Sequence, residues 1–139
     1  MKNHSVSPSL RALVSEWVAR AHDDYATAAG ILRHREGAPA HVCFLAQQMA
    51  EKYLKALLLF HSSDYPKTHD LYQLVTLLEP YVKGVSSALQ EEVTLLSPYY
   101  VGTRYPADIP LESFSWGIAR PALEAAERIQ KFVLEKLNP

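Results

Sequence analysis

The chain reads as an all-α domain, an antiparallel up-and-down bundle of four to five helices. Three observations predict it. Apolar residues recur at steps of three and four over long stretches, no useful stretch alternates with the period of two that a strand requires, and Gly37, Pro39, Pro80, Gly84 and Pro98 separate the periodic stretches by short connections. With 139 residues, 48% of them hydrophobic, residues 1–139 are expected to form one domain with a core of its own.

The first helix is expected from Pro8 to about Leu32, stopping near Arg35, with Leu10, Leu13, Val14, Trp17, Val18, Ala21, Tyr25, Ala28 and Leu32 on one stripe. Ser7 supplies an N-cap, and Pro8 fits the first turn because its missing N–H has no intrahelical acceptor there. The second helix runs from about Ala40 to His61 and turns Val42, Ala46, Met49, Tyr53, Ala56, Leu57 and Phe60 to the core. Its other side mixes Gln47, Gln48, Glu51 and Lys55 with Phe44 and Leu58, a pattern that suits a helix covered on two sides.

A loop over Ser62 to His69 leads to a short helix with Leu71, Leu74, Val75 and Leu78 inward, where Asp70 and Gln73 have the capping-box spacing. A fourth helix from about Ser86 to Leu96 is stopped by Pro98, and Pro98 to Pro110 reads as an ordered loop. The last helix, from about Phe114 to Leu137, carries Ile118, Ala122, Ala125, Ala126, Ile129, Val133 and Leu137 on its inner face, with Pro121 expected to kink it or start it afresh. The core should centre on Trp17, Met49, Tyr53, Leu74, Ile129 and Val133.

Composition narrows the function classes. A net charge of −1 and a pI near 6.6 give no overall basic field for nucleic acid. The cluster Arg33, His34, Arg35 ends a helix, where cations also complement the dipole, and we read it as a solvated helix end. One cysteine, Cys43, precludes an internal disulfide, and with no secretory pattern at the start the expected location is the cytoplasm. Apolar runs are short, the Ala56 to Phe60 patch among them, so no membrane role is expected. The histidines lack the spacing of a helical zinc site, and no glycine-rich phosphate loop occurs. Neither metal nor cofactor is expected.

Three stretches carry chemistry. On the second helix, Gln47, Glu51 and Lys55 align at i, i+4 and i+8, either as a solvated stripe or, with Phe44 and Gln48 beside them, as an interface. Lys67-Thr68-His69-Asp70-Leu71 opens a helix, where backbone N–H groups with a lysine and a histidine could hold an anion; Asp70 we read as the N-cap, and His69 stays open between packing and ligand contact. Tyr99-Tyr100-Val101-Gly102-Thr103-Arg104-Tyr105-Pro106-Ala107-Asp108 offers rings for stacking and a guanidinium for phosphate, or else a loop pinned by tyrosine hydroxyls and an Arg104–Asp108 pair. Asp24 falls within the apolar stripe of the first helix and needs a partner, from Arg104 or the second helix, so we read it as structural.

Taken in order, Trp17, Ala21 and Asp24, then Phe44, Gln47-Gln48, Glu51-Lys52 and Leu54-Lys55-Ala56-Leu57, then Lys67-Thr68-His69-Asp70-Leu71, then Tyr99-Tyr100 and Arg104-Tyr105-Pro106, the sequence resembles the prokaryotic HEPN family over nearly its whole length. The resemblance implies a helical bundle, a homodimer, and a nucleotidyltransferase protein as partner in a toxin–antitoxin-like system. Many members are RNA-cleaving toxins with a histidine four to six residues after an arginine near the last conserved helix; here Ile109, Pro110 and Leu111 follow Arg104 where it would stand. Arg35 and His41 match the spacing formally but straddle Gly37 and Pro39 between the first two helices, and we read that pair as coincidence. The expectation is therefore a non-catalytic module that binds a nucleotide through Lys67, His69, Arg104 and Tyr105, with Tyr99, Tyr100 and Asp108 nearby. Two alternatives stand beside it: a metal-independent endoribonuclease acting on RNA through His69 and Arg104, and a purely structural or antitoxin-like subunit.

Overall fold

The computed structural model describes residues 6–100 and 113–138, and among these it contains helices and no strand. The elements are α1 (Pro8–His34), α2 (Pro39–Ser62), α3 (Leu71–Leu78), α4 (Val85–Ala88), α5 (Gln90–Leu96), a 3-10 turn (Ser97–Tyr99) and α6 (Trp116–Leu137).

Both ends of α1 follow from the sequence. Ser7 Oγ accepts the Leu10 N–H at 3.1 Å, and Pro8 occupies the first turn. At the far end Arg35 takes the left-handed conformation with φ 53°, its N–H donates to the Ile31 carbonyl at 2.8 Å, and Arg33 and His34 lie in the last turn. Gly37, with φ 91°, then lets the chain double back into α2. The short connection makes α1 and α2 antiparallel. Val14 near the start of α1 accordingly packs with Ala56 and Leu59 near the end of α2, together with Leu137 of α6.

α2 is the spine of the molecule. It packs on α1, α3 and α6, and most of its residues are buried, from Val42 to Leu59. Sheathed this way, a helix has to be apolar almost all round, which explains the run Leu54 to Leu59 interrupted only by Lys55. Met49, Tyr53, Leu74, Ile129 and Val133 lie in the core as expected, whereas Trp17 is only half-buried and leans edge-on against Tyr65, with ring centroids 5.1 Å apart. Polar ties cross the bundle as well. Tyr25 donates to Glu127 at 2.7 Å, Gln130 donates to the Tyr53 hydroxyl at 2.7 Å, and Arg128 donates to Glu92 at 2.7 Å.

Two expectations about boundaries need correction. The single fourth helix is two, because Leu89 at φ −110° and ψ 16° leaves helical geometry between α4 and α5. The last helix starts at Trp116 under a Ser115 cap and runs through Pro121, so Pro121 is no fresh start. Lying in the second turn, Pro121 leaves the Gly117 carbonyl without an intrahelical donor, and the remaining turns of α6 carry the helix through.

Candidate functional site

The polar stripe of α2 faces the loop that enters α3, not solvent. Gln47, fully buried, donates through Nε2 to the His69 carbonyl at 3.2 Å and accepts from Gln48 Nε2 at 2.8 Å. One turn on, both carboxylate oxygens of Glu51 lie 3.0 Å from His69 Nδ1. A further turn on, Lys55 Nζ donates to Glu51 at 2.9 Å, with both side chains about 95% covered (relative exposures 5% and 6%). The i, i+4, i+8 spacing thus places two grips on one histidine, backbone and ring, and a cation behind the second grip.

The Lys55 ammonium lies 5.7 Å from the Trp17 ring centroid and 5.5 Å from that of Tyr65. Aromatic faces and the Glu51 carboxylate replace the water that a buried ammonium loses. Trp17 and Tyr65 have no part in the sequence-based site. The helical period places Trp17 on the core stripe of α1, and nothing in the periodicity announces that Tyr65 folds back over α2.

On its other side His69 stacks on Tyr100, with centroids 4.3 Å apart and planes 17° from parallel. Lys67, Thr68, His69, Asp70 and Leu71 from the start of α3, with Ser97 and Tyr100 from the turn after α5, line one cavity of about 380 Å³. Asp70 caps α3, its carboxylate accepting the Tyr72 N–H at 3.0 Å. Its own N–H donates to Thr68 Oγ1 at 3.1 Å, the place that a capping box would have given Gln73.

Of the residues read from the sequence as a ligand site, Lys67, His69 and Tyr100 meet at this cavity. Tyr99 turns to the core beside Phe114, with centroids 5.9 Å apart, and burial pushes its phenol above the usual range. Arg104, Tyr105 and Asp108 lie outside the described residues. Of the residues read as an interface, Glu51 and Lys55 are turned inward as above, while Phe44 and Gln48 are half-buried. Asp24 finds its partner on the second helix, accepting from Lys52 Nζ at 2.5 Å.

Elsewhere, an apolar groove of about 520 Å³ between α1, α2 and the end of α6 is lined mainly by Val14, Val18, Phe60, Leu134 and Leu137, with Arg11 the charged residue on its wall. It brings no titratable groups into convergence. Cys43 is buried, and burial pushes its thiol up to about 11, well outside the range of a nucleophile at neutral pH. Among the described residues no helix is long and apolar enough to cross a membrane.

The family model of the HEPN domain matches residues 14–137. The crystal structure of an archaeal HEPN homologue aligns with a TM-score of 0.72 at 26% sequence identity, over 90% of this chain and 98% of that one. No curated protein matches the chain. The match runs from α1 to the end of α6, taking in the stripe on α2 and both segments that form the cavity, and on that ground the chain belongs to the HEPN family.

Proposed function

We propose that this chain is a non-catalytic HEPN module that binds a nucleotide in the cavity between the start of α3 and the turn after α5. The observation that supports it is the convergence of Lys67, His69 and Tyr100, from two separate segments, on one depression of about 380 Å³. Lys67 is exposed and suits a phosphate, and the Tyr100 ring, already seated on His69, suits a base. Arg104, four residues after Tyr100 in the sequence, adds a guanidinium for phosphate in this reading. The family resemblance extends it to a homodimer and a nucleotidyltransferase partner in a toxin–antitoxin-like system.

Calorimetry with common nucleotides tests the reading. Loss of one charge-assisted phosphate contact costs about 1.5–3 kcal/mol, roughly ten- to a hundredfold in affinity. Lys67→Ala and Arg104→Ala should each weaken binding on that scale with helicity unchanged. A wild-type chain that binds none of the nucleotides refutes it.

One observation favours a second reading, an endoribonuclease that needs no metal. A carboxylate behind an imidazole orients it for proton transfer, and Glu51 stands so behind His69. Cleavage of RNA in the presence of a chelator, lost in His69→Ala, would put this reading in place of the first.

A further inference from the structure

Glu51 and Lys55 stand behind the cavity, absent from its lining, yet Glu51 touches a residue that is part of it. A carboxylate that accepts from an ammonium, as Glu51 does from Lys55, offers acceptors only toward its other neighbours. The hydrogen between Glu51 and His69 Nδ1 therefore belongs to the imidazole. A neutral ring with its hydrogen on Nδ1 carries a bare lone pair on Nε2, across the ring. Two contacts hold that orientation: Gln47 fixes the backbone of His69, and Tyr100 lies flat against the ring.

We infer that Glu51 and Lys55 are positioning residues that hold neutral His69 in its Nδ1–H tautomer, so that the cavity presents a hydrogen-bond acceptor at Nε2 and takes a ligand there through a hydroxyl or amino hydrogen, not a phosphate oxygen. The ligand clause rests on the reading of the cavity as a nucleotide site, and it reverses the role of donor that the residue type alone suggests for His69. Phosphate then falls to Lys67. The part of Lys55 is to hold the Glu51 carboxylate in place by its 2.9 Å hydrogen bond and, caged by Trp17 and Tyr65, to offset the burial of that charge. A protonated Glu51 would become a donor toward Nδ1 and drive the ring hydrogen to Nε2.

Nitrogen NMR of histidine-labelled protein, at a pH where the ring is neutral and with His69 assigned from the signals lost in His69→Gln, reads the tautomer directly. The wild type should show Nδ1–H. Predominance of Nε2–H, the form free histidine favours in water, overturns the inference. The double variant Glu51→Met/Lys55→Met removes the acceptor while filling its space with apolar chains, a kind of replacement that buried ion pairs commonly tolerate. In it His69 should revert to Nε2–H, and persistence of Nδ1–H overturns the role of Glu51. Lys55→Met alone should also lose the neutral Nδ1–H form, and unchanged signals there overturn the positioning role of Lys55. If the variants do not fold, the wild-type spectrum decides: Nδ1–H upholds the inference and Nε2–H overturns it.

Titration with AMP then tests the ligand clause. Binding should shift the bare Nε2 resonance while Nδ1 keeps its hydrogen, and transfer of the hydrogen to Nε2 on binding overturns the acceptor role. Absence of AMP binding refutes the nucleotide reading and the ligand clause with it, while the tautomer spectra still judge the positioning role on their own.

Discussion

Lys55 has an environment that its residue type does not announce, an ammonium enclosed by Trp17, Tyr65 and the carboxylate of Glu51. Buried pairs of this kind cost desolvation on both sides, so removing one partner is far worse than removing both. Lys55→Met should destabilise the chain by about 3–5 kcal/mol, and Glu51→Met/Lys55→Met should fall within about 1 kcal/mol of the wild type or above it. Urea unfolding of the three proteins checks this, and a double variant as weak as the single one would deny the coupling. At this scale the sequence shows the spacing but not the burial. Gln47, Glu51 and Lys55 announce a stripe, yet whether a stripe meets water or a neighbouring loop depends on the path of residues 63–70, and loop paths leave no periodic trace. Asp24 is the contrary case. Its place within an apolar stripe demanded a partner, and Lys52 on α2 is there.

Local chemistry set most of the element boundaries. Ser7 and Asp70 cap where side-chain chemistry says they should, and α6 tolerates Pro121 because only one hydrogen bond near its start is forfeited. The break at Leu89 was not legible, since Val85, Leu89, Val93 and Leu96 keep helical spacing across it and all four stay buried. What organises the start of that segment is Glu79, whose carboxylate accepts the N–H groups of Gly84 at 2.6 Å and Ser86 at 3.1 Å. Gly84, at φ 88°, has the freedom this turn requires. Hydrogen bonding from Gly84 first, and from Ser86 next, holds the Glu79 carboxyl below the usual carboxylate range. A folded-state pKa below the unfolded one contributes stability that is fully present above the unfolded value, near 4.3, and is lost as pH falls through the folded value. Glu79→Gln keeps the shape and removes the charge. The gap in melting temperature between wild type and variant should therefore be open at neutral pH and close on acidification; a gap independent of pH would show that the carboxylate does not act as described.

At the scale of the molecule, hydrophobic period and punctuation were enough for the bundle, because helices that bury one stripe have few ways to satisfy it. The cavity was half legible. An antiparallel arrangement brings the entry to α3 near the exit of α5, and Lys67, His69 and Tyr100 do meet there, but which tyrosine turns outward depends on the 3-10 turn at Ser97–Tyr99, one residue of rotation that no pattern encodes. The position of α2, sheathed by three neighbours, has a kinetic counterpart in solvent exchange. Amides in such a helix can reach water only when the whole domain opens, whereas short helices at the periphery open singly. In deuterium oxide the amides from Met49 to Leu57 should exchange last and together, at the rate set by global unfolding, and those from Val85 to Leu96 should exchange well before them. Mass-resolved peptides showing both segments labelled at one rate would mean that α2 is no more the last element to come apart than the rim that surrounds it.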